Sequence, residues 1–378
     1  MPVPFIDLKR FEDGFLDRWA QKCAHISANT MFVGGPETAA MEARLAEESG
    51  AAAVVGCANG TDAIELALRG IGIRPGGEVI LPANTFIATA EAVSRVGARP
   101  VVVDVDPAYL LVDPEAVRAA VTPRTEAIIP VHLFGQVAPM EEILKVAADA
   151  GVAVVEDAAQ SQGAVRHGRS AGSWGQAAAT SFYPGKNLGA AGDAGAVLTD
   201  DPEVAARVRV IGAHGSARKY DHEVVGVNSR LDAVQAVVLR AKLKRLDAWN
   251  ERRRAAAAYY EQLLTDVDGV TVPRTAEGNV DVWHLYVVQV DERDRVLAEL
   301  NGAGIGAGIH YPVPVHLTGA YADLGMRRGA CPVAEAAADR ILSLPLYPHL
   351  TREQQDRVVE VLAAAVSGPW RSGWSWST

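Results

Sequence analysis

A chain of 378 residues exceeds the usual length of one domain and has room for two domains packed around a large core. Its 49% hydrophobic and 22% charged residues, with 35 Gly and 20 Pro, exclude a disordered, collagen-like or coiled-coil chain. A formal charge of −10 excludes the broad basic face that nucleic-acid binding requires, while leaving room for a local cationic pocket.

The N-terminal segment MPVPFIDLKRFEDG lacks a basic stretch followed by an apolar one, and no apolar run approaches the ~20 residues that span a bilayer. Cys23, Cys57 and Cys331 lie far apart without a CxxC pair, which fits neither a disulfide framework nor a zinc ribbon. The expectation is a cytoplasmic protein in a reducing compartment, bound to neither membrane nor nucleic acid.

In chain order, short apolar runs at 52–56, 78–82, 100–105, 127–134, 152–157, 178–183 and 195–199 read as strands. They alternate with helical stretches such as 61–70 and 140–151, the rhythm of βαβ units and a mainly parallel sheet. Several strands are near-continuous Val, Ile and Ala, as in a sheet covered on both faces. The pattern changes after about Ser216. A loop at 214–230 leads into a long helix from Leu231 to Leu264, with a charged cluster at Lys242, Lys244, Arg245 and Arg252 to Arg254 that reads as a solvated face. A strand at 283–290, a helix near 293–300, a Gly/Pro-rich loop at 302–314 and a helix near 352–365 complete a smaller α+β part. The expected organisation is a large α/β domain over 1–245 and a small domain over 246–378, with Trp370, Trp374 and Trp376 in a frayed tail.

Two signals carry little. NGAGIGAGIH (301–310) has GxGxG spacing without the surrounding βαβ unit of a dinucleotide fold. His310 and His316 belong to no compact ligand set, so no metal is expected.

Four segments at predicted strand ends carry the chemistry, because α/β folds assemble ligand sites there. In CANGTDAIELAL (57–68) a turn at Asn59-Gly60-Thr61 opens a helix, so backbone N–H groups and the Thr61 hydroxyl would face an anion; the same residues read equally as an ordinary Thr or Asp cap. VAVVEDAAQSQGA (152–164) ends a strand at Glu156-Asp157, a carboxylate able to hold a protonated ring nitrogen, or again a helix cap. In ATSFYPGKNLGAAGDAG (179–195), Lys186 sits in a turn behind Ser181 and Tyr183; confinement would make it a nucleophile, exposure a plain surface lysine. Phe86, in LPANTFIATA (81–90), offers a ring for stacking or for the core. An anion cradle, a stacking ring, an acid for a ring nitrogen and a reactive amine are together what pyridoxal phosphate needs.

Through PFIDLK (4–9), VGGPE (33–37), NGTDA, EDAAQ, SFYPGKNLG, GVNSRLDAVQA (226–236) and SLPLYPHLT (343–351), nearly the whole chain resembles the sugar aminotransferases of the DegT/DnrJ/EryC/StrS type. The resemblance implies the fold-type I architecture of pyridoxal-phosphate enzymes, aspartate-aminotransferase-like, with a large mainly parallel α/β/α domain and a small α+β domain. It implies pyridoxal 5'-phosphate as cofactor, cycling through pyridoxamine 5'-phosphate. Lys186 would be the Schiff-base lysine and proton shuttle, Asp157 the partner of the ring nitrogen and Gln160 a contact on the phenolic-oxygen side. Gly60, Thr61 and Ser181 would bind phosphate, Phe86 would stack on the ring, and Asn228 would reach the phosphate of the neighbouring subunit, making the protein a homodimer. The implied partners are L-glutamate as amino donor and a nucleotide-linked keto sugar, with Tyr183, Arg230, His310 and His316 as candidate substrate contacts. The wording of 226–236 and 308–317 is closer to relatives acting on dTDP-3-keto-6-deoxyhexoses than on 4-keto sugars; an aminocyclitol or UDP-sugar aminotransferase, a dehydratase and a non-catalytic binding protein are the alternatives. Gln162 stands where a histidine is usual, which bears on the substrate side.

Overall fold

The computed structural model describes residues 1–9, 14–218 and 220–368. The Trp-containing tail thus lies outside the described residues.

Seven strands form the central sheet: β1 (Ala53–Cys57), β2 (Glu78–Pro82), β3 (Arg99–Val103), β4 (Thr125–Ile128), β5 (Ala153–Asp157), β6 (Ala177–Ser181) and β7 (Gly195–Thr199). Their spatial order is β1-β7-β6-β5-β4-β2-β3. All neighbouring pairs are parallel except the two made by β7, which runs antiparallel to both β1 and β6.

Alternation explains how these strands become a two-faced core. Val79 and Leu81 of β2, with Val155 of β5, pack with α3 (Gly60–Ile71), α4 (Ala88–Arg95) and α7 (Pro202–Gly212). Ile80 and Val154 point the other way, toward α5 (Pro114–Ala120) and α6 (Met140–Ala150). Further along the sheet, Ala196 and Leu198 meet α2 (Gly35–Ser49) and α8 (Ala233–Leu243), and α1 (Phe15–Ala28) packs outside α8.

A second core gathers α9 (Leu246–Leu264), α10 (Arg293–Gly302) and α12 (Arg352–Ser367) on a three-stranded antiparallel sheet of β8 (Val270–Thr271), β9 (Tyr286–Val290) and β10 (Ile341–Leu344). Tyr286, Val288 and Val290 enter this core, whereas Leu285 and Val287 face the main one beside Val315, Ile341 and α11 (Pro332–Ala338). Val3 also belongs to the second core, through a parallel bridge to Ile305. Gly306 in 301–310 serves that contact: a Cβ there would stand 2.4 Å from the Phe5 nitrogen. Close approach of the N-terminal segment, rather than a phosphate, accounts for this glycine.

Three predicted elements differ. The strand expected at 127–134 stops at Ile128, because Pro130 has no N–H to donate, and only the Val131–Asp157 bridge continues the pairing. The single helix expected from Leu231 to Leu264 is broken at Lys244–Arg245, since α8 packs against α1 and α2 while α9 packs against α12. The helix expected to open at Phe86 begins at Ala88, leaving Phe86 in the connection. The sequence pattern also leaves α1, α2 and β10 unassigned.

All three cysteines are free. Among the described residues no helix is long and apolar enough to cross a membrane.

Candidate active site

A cavity of about 590 Å³ opens at the carboxyl ends of β5 and β6, roofed by the segment 310–311 and by Phe5. Each of its walls is built by a short local rule.

At the end of β1 the chain turns into α3. Asn59, in extended conformation, caps the helix by accepting the Asp62 N–H on Oδ1 at 2.8 Å. The cap is therefore Asn59, which leaves Thr61 on the cavity wall at the positive end of the helix. Gly60 is required by contact: a Cβ there would stand 2.6 Å from the Ser181 Cβ. Gly60, Thr61 and Ser181 thus converge from two strand ends into one hydroxyl-lined cradle on the cavity wall.

Asp157 ends β5. Its Oδ2 accepts the Thr89 hydroxyl at 2.7 Å and its Oδ1 the Ala159 N–H at 3.1 Å. Thr89 is itself paired with Thr85 at 2.8 Å. The carboxylate is held by α4 and by its own turn, and it borders the cavity.

Lys186 rises from a tight turn after β6, its N–H bonded to the Tyr183 carbonyl at 2.8 Å. Burial pushes its ammonium down to about 8, against the opposing pull of Asp157. An amine so placed is neutral far more often at neutral pH than an exposed lysine.

Gln160 is clamped at both ends: Oε1 accepts the Phe134 N–H at 2.7 Å and Nε2 donates to the Tyr311 hydroxyl at 3.0 Å. The Phe86 ring, 52% exposed, lies 5.4 Å from the Tyr311 ring at a tilt of 41°. Tyr183 borders the cavity and is 59% exposed. His310 is also on the wall; it pairs Nδ1 with the Ser343 hydroxyl at 2.8 Å and stacks on Phe5 at 5.4 Å. Burial and the charge of Lys186 lower its pKa to about 4, so it is a neutral imidazole.

Three expected contacts lie elsewhere. His316 is fully buried, bonds Glu335 at 2.9 Å and is not on the cavity wall, which corrects the expectation of a substrate contact. Asn228 and Arg230 are exposed, bonded to each other at 2.9 Å, and absent from the wall of this chain's cavity. Gln162 is not on the substrate side either: its Nε2 lies beneath the cradle, at 2.8 Å from the Ser181 carbonyl and 2.9 Å from the Thr180 hydroxyl.

Sequence reasoning missed Phe5, Thr89, His284 and Tyr311. Phe5 lies in a motif that the sequence already marks, PFIDLK, and Tyr311 adjoins His310; nothing local marks Thr89 or His284.

The family model described as DegT/DnrJ/EryC1/StrS aminotransferase family matches residues 17–363. The chain belongs to the DegT/DnrJ/EryC1/StrS aminotransferase family. A relative from Saccharopolyspora erythraea, the erythromycin biosynthesis sensory transduction protein EryC1, is 47% identical over 96% of this chain and 100% of its own length. The dTDP-3-amino-3,4,6-trideoxy-α-D-glucose transaminase of Streptomyces venezuelae is 46% identical, covering 95% of each chain. The crystal structure of S. venezuelae DesV in complex with a ketimine intermediate superimposes with a TM-score of 0.94 at 45% identity, covering 97% of this chain and 99% of that one.

As a DegT/DnrJ/EryC1/StrS aminotransferase, the protein is an α/β enzyme that uses pyridoxal 5'-phosphate. The residues present fit that cofactor. The Gly60 cradle has the room that any Cβ would fill, and Lys186 and Asp157 border the same cavity.

Proposed function

We propose that the protein transfers an amino group from L-glutamate to the keto carbon of a dTDP-linked 3-keto-6-deoxyhexose, giving a 3-amino sugar for deoxyaminosugar biosynthesis. The observation that carries this reading is the convergence of Lys186, Asp157 and the Gly60–Thr61–Ser181 cradle on one cavity. Its volume of about 590 Å³ lies within the range of small-molecule sites. The similarity to the S. venezuelae dTDP-3-amino-3,4,6-trideoxy-α-D-glucose transaminase supports the choice of nucleotide and of C3.

In this reading Gly60, Thr61 and Ser181 hold the phosphate of the cofactor, Phe86 lies against its ring, Gln160 faces its phenolic oxygen and Asp157 keeps its ring nitrogen protonated. When bound, pyridoxal phosphate supplies the electron sink that lets a C–H bond beside nitrogen ionise. Lys186 does the proton work: as a neutral amine its Nζ takes the proton from the α-carbon of the donor, and in the reverse direction returns one to the carbon that receives the new amine. Asp157, fixed by Thr89 and Ala159, stays aimed at one position throughout. Tyr183 and His310 on the wall, and Arg230 outside it, are the proposed substrate contacts.

The same reading makes the protein a cytoplasmic homodimer, with Asn228 of each subunit completing the phosphate site of the other. Exposure of Asn228 and Arg230 outside their own cavity supports this. The division into a large domain, 1–245, and a small one, 246–378, belongs here too. It is supported by the break between α8 and α9 and by the separate core around Tyr260 and Leu342, which Val3 joins from the N-terminus.

The test follows the visible absorbance of the bound cofactor. L-glutamate is expected to remove it and a dTDP-linked 3-keto-6-deoxysugar to restore it. Restoration by the 4-keto sugar alone overturns the regiochemistry, and loss of neither spectrum nor turnover in Lys186→Ala overturns the mechanism.

A further inference from the structure

His284 has a hydrogen-bonding state that the surrounding chain dictates atom by atom. The carbonyl of Gln162 accepts from Asn250 Nδ2 at 2.9 Å, which turns Asn250 Oδ1 toward Asn187. Asn187 Nδ2 then donates to that oxygen and to the Val282 carbonyl, each at 2.9 Å. Two backbone carbonyls accept only, so both amides are fixed in orientation. What remains is Asn187 Oδ1, 3.2 Å from His284 Nδ1. An amide oxygen cannot donate, so Nδ1 carries the proton and Nε2 carries a lone pair.

The imidazole borders the active-site cavity, and no described residue donates to Nε2. Burial, together with the neighbouring charges of Lys186 and Arg253, holds its pKa well below the usual 6.5, so the ring stays neutral and Nε2 stays an acceptor. The site therefore presents a fixed hydrogen-bond acceptor close to the reacting amine.

This acceptor distinguishes the two substrates of a transamination. Once its amine is engaged at the reacting centre, L-glutamate has only carboxylate oxygens left to offer, and these also accept. A keto sugar carries hydroxyl groups on the carbons that flank its carbonyl, and a hydroxyl donates. We propose that His284 is the residue that selects the amino acceptor, its Nε2 receiving a hydrogen bond from a hydroxyl on a carbon next to the keto group. The inference rests on the sugar-aminotransferase reading above and names the group on the sugar that the site recognises. Leaving a buried acceptor without its donor is the kind of mismatch that gives an enzyme strong discrimination.

The experiment measures the two half-reactions separately, by stopped-flow absorbance of the bound cofactor, in wild type, His284→Phe and His284→Gln. The sugar substrates are the dTDP-linked 3-keto-6-deoxyhexose and its 2-deoxy and 4-deoxy counterparts. His284→Phe is expected to slow the sugar half-reaction about tenfold more than the glutamate half-reaction, the factor that one lost hydrogen bond of ordinary strength produces. It is also expected to erase the preference of the wild type for the hydroxylated sugar over one of its deoxy counterparts. His284→Gln, whose side-chain oxygen is an acceptor, is expected to retain most of that preference, and it carries the comparison if the Phe variant does not load cofactor. Equal loss in both half-reactions, or a preference that survives in His284→Phe, overturns the proposal. A wild type that turns over glutamate but no keto sugar sinks the substrate reading and this inference with it, whereas sugar turnover indifferent to His284 sinks the inference alone.

Discussion

Lys186 and Asp157 border one cavity but are held differently. Asp157 accepts two hydrogen bonds, whereas Lys186 is driven toward the free amine by burial against the opposing pull of Asp157. The pH dependence follows with a definite sign. Deprotonation runs through about 8 instead of the ordinary 10.5, so the reactive form accumulates as pH rises across 7 to 9. The rate at which cofactor-free protein acquires the absorbance of bound pyridoxal phosphate is expected to increase over that interval and then level off. A rate still climbing toward 10.5 would mean that the lysine is exposed. Gly60 gives a second check at this scale. Gly60→Val crowds Ser181 and is expected to weaken cofactor binding at least tenfold, about 1.4 kcal/mol, in an equilibrium titration.

Strand β5 shows how one element can serve stability and chemistry at once. Consecutive residues of a strand face opposite sides, so Asp157 borders the cavity while Glu156 is buried on the other face. There Glu156 accepts four hydrogen bonds: from the N–H groups of Gly172 at 2.7 Å, Trp174 at 2.6 Å and Gly175 at 2.8 Å, and from His132 Nε2 at 2.8 Å. His132 is the donor because its Nδ1 already accepts the Ala138 N–H at 3.1 Å. The His132 N–H in turn bonds the Asp157 carbonyl at 3.0 Å, so this network anchors the end of the strand that carries Asp157. Glu156→Ala strands several buried donors and is expected to lower stability by about 3–5 kcal/mol in urea denaturation. A loss below about 1 kcal/mol would show that the loop 172–175 finds other partners.

For the whole molecule, the proposed homodimer is the feature with most consequence. Asn228 and Arg230 are exposed, and Phe32 and Val33 beside them are 52% and 45% exposed, with Val33 bridged to Asp232. Contiguous apolar exposure next to polar groups suits an interface between subunits. Sedimentation is expected to give a species of about twice the 40.0 kDa chain mass. Phe32→Asp is expected to shift that species toward the monomer and to weaken cofactor retention in parallel. A monomer with full cofactor affinity would overturn the shared site.

By itself the sequence determined the pieces whose chemistry is local. A strand that ends in Asp157, a turn that presents Lys186 and a helix that opens at Gly60 are each written in a few neighbouring residues, and Val/Ile runs alternating with amphipathic stretches determine the parallel sheet around them. Tertiary structure decided the rest. His310 and His316 stand six residues apart in one loop and are indistinguishable by pattern; packing put the first on the cavity and the second against Glu335. His284 takes its proton position from carbonyls at 162 and 282, relayed through Asn250 and Asn187, and Thr89 takes its role from Asp157 across 68 positions of chain. A hydrogen bond is directional and depends on what the partner donates or accepts, so the role of such a side chain exists only once the fold has brought its partners together.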